Sequence, residues 1–262
     1  MSSEWPDQVE VGTRDTMAEK MVRLIAESAR TSIQTRDVFT LAIPGGSIAD
    51  AVIPLLIVQD LPWEKVHVFW VDERVVPLTD VNSNAGHAFR LWQGSYFASA
   101  THLHVMFGEP SNYQLSDETA DTTASISATA ADMDLAVNRY SRLLEEVCGA
   151  PVTLDVALLG VGEDGHIASL FPDHATAFDI QHTVIAVTDS PKPPAERLSL
   201  SYGVIANARE IIVAAFGDGK AAAMQQALEN EKSQMPVARI IREAKIVHTL
   251  LDAASASALR SK

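Results

Sequence analysis

A histidine flanked by carboxylates in a glycine-rich run can move a proton near neutral pH, and the chain has one such run. It reads Gly160-Val161-Gly162-Glu163-Asp164-Gly165-His166-Ile167-Ala168-Ser169-Leu170-Phe171-Pro172. Three glycines leave the backbone open around His166, whose unperturbed pKa near ~6.5 lets it take a proton from water. Of the eight histidines this is the one we assign as a base. His102-x-His104 has the spacing of two metal ligands on one face of a strand, but no third ligand is grouped with it. A metal ion there would be adventitious, and the expectation is a protein without a metal. His67, His174, His182 and His248 read as packing or surface residues.

Four other segments carry chemistry. In Pro44-Gly45-Gly46-Ser47 two glycines let the backbone approach a ligand, and a helix that follows would aim its first N–H groups at a phosphate or a developing oxyanion. A tight turn would use the same residues. The segment has neither the Gly-Lys-Ser/Thr of a nucleotide loop nor G-x-G-x-x-G, so ATP and NAD have no support and no organic cofactor is expected. Asp72-Glu73-Arg74, followed by Asn82-Ser83-Asn84, can position a water, hold a sugar hydroxyl or clamp an anion. The alternative for each of these residues is a structural ion pair with asparagine capping. Lys192 and Arg197 sit in a proline-stiffened loop, and Lys220 closes Gly217-Asp218-Gly219-Lys220. In a chain this acidic the three cations would make a local positive pocket for an anionic substrate; a solvated loop and ordinary helix capping are the alternatives.

These segments need a frame, and the hydrophobic pattern supplies it. Residues 38–43, 65–71, 154–159, 210–216 and 245–250 read as buried strands, and residues 131–147 and 220–228 as helices. Residues 16–33 read as a helix opened by a capping box of Thr16 and Glu19, with Met17, Met21, Leu24, Ile25 and Ser28 on one stripe. Strands alternating with helices predict an α/β fold: a mostly parallel, doubly wound sheet flanked by helices. Ligands in such sheets bind outside the carboxyl ends of the strands, where the segments above fall. Residues 1–262 read as one domain, with a smaller lobe around 75–150. Residues 108–130, rich in Ser, Thr, Ala and Asp, read as a surface excursion or mobile loop, with a lid or partner site as the alternative.

Composition bounds the remaining possibilities. The chain has 262 residues, 47% of them hydrophobic, enough for a well-buried core. A net charge of -14 repels nucleic acid and anionic lipid. The longest apolar run, residues 51–58, contains Pro54 and falls far short of the roughly 20 residues of a spanning helix, so no membrane association is expected. Cys148 is the single cysteine, and residues 1–7 lack a basic region and an apolar core, which fits a reducing, cytoplasmic setting. Arg260-Ser261-Lys262 is one residue short of a Ser-Lys-Leu peroxisomal signal. Nothing in the pattern demands an assembly, and a monomer is the expectation.

Taken together, Pro44-Gly45-Gly46-Ser47, Trp70-Val71-Asp72-Glu73-Arg74-x-Val76-Pro77 with Asn82-x-Asn84, and the Gly160 to Pro172 run resemble the 6-phosphogluconolactonase family in order and spacing. The resemblance runs from about residue 15 to 250. It implies hydrolysis of the 6-phosphogluconate δ-lactone in the pentose phosphate pathway, without metal or organic cofactor. It also implies an α/β fold shared with glucosamine-6-phosphate deaminase and ribose-5-phosphate isomerase. The deaminase pattern differs: after Gly-His-Ile-Ala it has Phe-Asn-Glu-Pro, whose glutamate helps to open the sugar ring, where this chain has Ser169-Leu170-Phe171-Pro172. It also has Asp-Glu-Tyr in place of Asp72-Glu73-Arg74. Ile48-Ala49 departs from the Thr-Pro frequent in the family, and residues 117–130 match nothing in it.

On that resemblance His166 is the general base on a water, with Asp164 orienting the imidazole and Asp72 holding a hydroxyl or the water. Gly45 and Gly46, with Ser47, offer backbone N–H groups to the oxyanion. Lys192, Arg197 and Lys220 bind the phosphate, and Arg74 serves either the carbonyl or the phosphate. A sugar-phosphate sensor without catalysis is the expectation of another class. It would need a DNA-binding module, which neither the first 35 residues nor the charge supports.

Overall fold

The computed structural model describes residues 9–108 and 130–260. In chain order the elements begin with β1 (Val9–Gly12), α1 (Arg14–Arg36), β2 (Phe39–Ile43), α2 (Gly46–Leu56), β3 (Val66–Trp70) and β4 (Asp72–Arg74). They continue with α3 (Asn84–Trp92), α4 (Tyr96–Ala100), β5 (His102–His104), α5 (Ala130–Cys148), β6 (Val156–Gly160), β7 (Val184–Val187) and β8 (Arg197–Leu200). The last are α6 (Tyr202–Ala206), β9 (Glu210–Ala215), α7 (Ala221–Glu229), α8 (Pro236–Glu243) and β10 (Val247–Asp252).

Seven strands form one sheet in the order β1-β10-β9-β6-β2-β3-β5, every neighbouring pair parallel. Helices cover both faces, and the inner strands are therefore apolar along their whole length; all five residues of β2 are buried. That continuous burial is why five of these strands are readable from sequence. Strand order reverses between β2 and β6, so the loops after these two adjacent strands diverge and leave a crevice at their carboxyl ends.

Helix α1 starts earlier than its sequence suggests. Thr13, not Thr16, is the N-cap, and Thr16 rather than Glu19 closes the box: Thr13 Oγ1 accepts from Thr16 N–H (3.2 Å), and Thr16 Oγ1 accepts from Thr13 N–H (3.0 Å). A threonine hydroxyl at the third helical position does the work of the usual glutamate. The buried stripe is Met17, Ala18, Met21, Val22, Ile25, Ala26 and Ala29; Leu24 and Ser28 lie at its margin.

A second, antiparallel sheet, β4-β8-β7, sits over the carboxyl end of the first. It is joined there through Val71, whose N–H donates to Ile43 O (2.9 Å) and whose carbonyl accepts from Leu200 N–H (2.8 Å). Its strands come from Asp72–Arg74 and from residues 184–200, while β5 belongs to the edge of the main sheet. Of residues 108–130, read as a surface excursion, 109–129 lie outside the described residues.

Candidate active site

The crevice is a cleft of about 320 Å³ lined by the loops after β2, β6 and β9, by β4, by Asn84 at the start of α3, by the 192–197 segment and by Lys220. It gathers Gly45, Gly46, Ser47, Asp72, Arg74, His166, Lys192, Arg197 and Lys220 from positions scattered along the chain. Asp164 does not line it, but bonds the histidine that does.

His166 is held on three sides. Asp164 Oδ1 lies 2.5 Å from Nδ1, and the same oxygen accepts the His166 backbone N–H (3.3 Å). The Phe171 ring packs against the imidazole at 4.7 Å between centroids. Beneath the ring lies Gly162, where a β-carbon would stand 2.0 Å from His166 Nδ1 and 2.6 Å from Asp164 Oδ1. Only glycine leaves room for the pair. The loop closes through Gly162 N–H to His166 O (2.8 Å), and Gly165 takes the left-handed conformation (φ 83°) that the turn requires. Burial pushes the Asp164 pKa up, but the hydrogen bonds and charge of His166 outweigh it and hold the carboxyl at about 2. An ionised Asp164 makes Nδ1 the protonated nitrogen, which leaves the Nε2 lone pair as the basic atom of the ring.

Asp72 is buried and bonded on both oxygens: Ser169 Oγ donates to Oδ2 (2.7 Å) and Asn84 Nδ2 to Oδ1 (3.2 Å). Neither Ser169 nor Asn84 is identified as a site residue from sequence, although both lie inside the segments that are. Asn84 Nδ2 also donates to Asp72 O (2.9 Å). Glu73, between two cleft residues, does not line the cleft.

The cations divide by their surroundings. Arg197 is buried, donates to Pro194 O (3.1 Å) and Lys192 O (2.8 Å), and has its guanidinium 5.6 Å from the Phe171 ring centroid. Burial lowers its pKa; Asp72 opposes this and Arg74 adds to it, but a guanidinium stays charged. Arg74 donates to Asn82 O (2.8 Å), and its Nε is buried without a hydrogen-bond partner. Lys192 is exposed, and Lys220 Nζ lies 4.0 Å from Glu163 Oε1.

The glycine loop after β2 opens α2. Gly45 is its N-cap with no side chain to cap the first N–H groups, and Gly46 has φ 65°. Those N–H groups and the positive end of the helix dipole are available to an anion. Gly45 also packs directly on Asn84, whose Oδ1 would be 1.9 Å from a β-carbon at Gly45.

The remaining histidines are placed elsewhere. His102 and His104 stand on β5 at the sheet edge and stack with His67 of β3, His67 Nδ1 lying 2.9 Å from His104 Nε2. Among the described residues no three His, Cys, Asp or Glu side chains are arranged to hold a metal ion. Nor is any helix among them long and apolar enough to cross a membrane.

Comparison with known proteins gives a consistent result. Residues 12–249 match the family model described as glucosamine-6-phosphate isomerases/6-phosphogluconolactonase. The chain is 30% identical over 253 residues to the probable 6-phosphogluconolactonase 2 of Arabidopsis thaliana, covering 94% of this chain and 93% of that one. It is 32% identical to the probable 6-phosphogluconolactonase of Schizosaccharomyces pombe, covering 86% and 85% respectively. The solved structure of 6-phosphogluconolactonase from Trypanosoma brucei superposes with a TM-score of 0.78 at 25% identity, covering 98% of this chain and all of that one.

Proposed function

The chain belongs to the glucosamine-6-phosphate isomerase/6-phosphogluconolactonase family, and within it we propose that this cleft hydrolyses 6-phospho-D-glucono-1,5-lactone to 6-phosphogluconate, in the oxidative pentose phosphate pathway. What supports this most is one juxtaposition. A histidine paired with an ionised carboxylate shares a single cleft with Arg74, Lys192, Arg197 and Lys220, in a chain of net charge -14. A base and an anion site so placed suit a substrate with a reactive carbonyl at one end and a phosphate at the other.

In the reaction, His166 Nε2 takes a proton from water as the water oxygen bonds to the lactone carbonyl carbon. Backbone N–H groups of Gly45 and Gly46 receive the oxyanion. Collapse breaks the bond to the ring oxygen, which takes the proton back from the imidazolium. Asp164 keeps the ring oriented and stabilises its charged form. Asp72, fixed by Ser169 and Asn84, holds the water or a sugar hydroxyl. Arg74 joins Lys192, Arg197 and Lys220 at the phosphate, because β4 and β8 set it directly opposite Arg197. Base catalysis contributes ~10²–10⁴-fold; binding of the phosphate fixes the carbonyl and contributes to the rest.

The deaminase alternative lacks its ring-opening carboxylate, since Phe171 stands in that position and packs on His166. We take the enzyme to be a cytoplasmic monomer working without metal or organic cofactor on a small phosphorylated sugar lactone. The test compares three substrates. The phosphorylated lactone should be opened with a kcat/KM at least about 100-fold above that for gluconolactone, and glucosamine 6-phosphate should release no ammonia. Equal rates on the two lactones, or ammonia release, would contradict the assignment.

A further inference from the structure

Glu73 is flanked in sequence by two residues of the cleft and takes no part in lining it. Alternation along β4 turns its side chain inward, where it is 1% exposed. The carboxylate accepts four hydrogen bonds. Oε1 receives the backbone N–H groups of Arg74 (2.7 Å) and Asn84 (2.7 Å), and Oε2 receives the Ala85 N–H (2.8 Å) and the Ser83 hydroxyl (3.1 Å). It therefore satisfies two of the free donors at the start of α3 and ties that helix end to β4. The residue presented at this helix end is Asn84, which bonds Asp72 through Nδ2 and backs Gly45 through Oδ1.

We propose that Glu73 is a positioning residue of the cleft: by holding the first turn of α3 on β4, its carboxylate fixes Asn84 where it orients Asp72 and supports the Gly45 loop. This rests on the cleft being the lactonase site. Glu73 does not line the cleft and acts through Asn84. Burial raises its pKa to about 7, the three backbone N–H groups pull it down, and Asp72 pushes it up. The charged and titratable groups around it are Asp72 and Arg74 on β4 and the Tyr140 hydroxyl on α5. A protonated Glu73 offers one acceptor fewer to the helix end, so its effect on turnover depends on pH.

The experiment uses the full chain and the variants E73Q, N84A and the double variant, with 6-phosphogluconolactone as substrate. In E73Q kcat should fall about 10- to 100-fold with KM changed less than about threefold, and the acid limb of log kcat against pH should lose one proton. N84A should show the same split. In the double variant the two losses should not multiply, because both remove one link. Unchanged kcat and pH slope in E73Q, or multiplying losses, overturn the assignment; should E73Q fail to fold, an N84A enzyme with wild-type kcat overturns it. A wild type that does not accelerate lactone opening would instead overturn the lactonase function itself.

Discussion

Arg74 and Arg197 are direct cross-strand partners in the antiparallel β4–β8 pair. Two cations in such a position repel one another unless an anion lies between them, and both line the cleft. Arg74 donates to Asn82 O, and Arg197 to Pro194 O and Lys192 O. The small sheet thus sets two guanidinium groups side by side in the cleft, the placement on which the proposed phosphate site rests.

The first prediction follows from that repulsion. Inorganic phosphate and 6-phosphogluconate should raise the melting temperature of the wild type by mass action. R197A should lose most of the rise. A rise of equal size in the variant would remove Arg197 from the anion site.

Kinetics should separate the two ends of the cleft. R197A and R74A should each raise KM for the phosphorylated lactone about 10- to 100-fold, the worth of a charge-assisted hydrogen bond, and leave gluconolactone opening nearly unchanged. An equal loss on both lactones in R74A would move Arg74 to the carbonyl.

Gly162 should be as necessary as the histidine it supports. In G162A the added carbon would be 2.0 Å from His166 Nδ1, so ring and carboxylate must part. We expect kcat to fall by about 100-fold or more, with a fold destabilised by only ~1–3 kcal/mol. Normal turnover in G162A would show that the His166–Asp164 pairing is dispensable.

The sheet edge carries a pH signature of its own. Burial, followed by the charges of the neighbouring histidines, lowers the pKa of His67 and His104 to about 4. Unfolding restores them to about 6.5, so the unfolded chain binds more protons between pH 6.5 and 4 and stability falls as pH drops through that window. Urea midpoints across it should decline less in H67F/H104F than in the wild type. Parallel declines would assign the acid sensitivity to other groups.

What the sequence reveals depends on how local the cause is. The parallel sheet is legible because strands such as β2, buried on both faces, are unbroken apolar runs. His166 is legible because the glycines it needs are its near neighbours in the chain. The second sheet is not, because β4 has three residues, β7 and β8 have four each, and the β4–β8 pairing joins segments far apart in sequence. For the same reason the opposition of Arg74 and Arg197, and the bonds from Ser169 and Asn84 to Asp72, emerge only in three dimensions. The N-cap of α1 misleads by three residues because Thr13 and Thr16 are both competent caps, and the backbone of Thr13 decides between them.

The most direct test is the rate of 6-phosphogluconolactone opening, with the lactone generated in situ from glucose 6-phosphate and spontaneous hydrolysis subtracted, for the wild type and H166A. We expect clear acceleration by the wild type and a kcat lower by about 10²–10⁴-fold in H166A, with KM nearly intact. A folded H166A enzyme that turns over like the wild type would remove the base from the mechanism, and no acceleration by either protein would contradict the lactonase function.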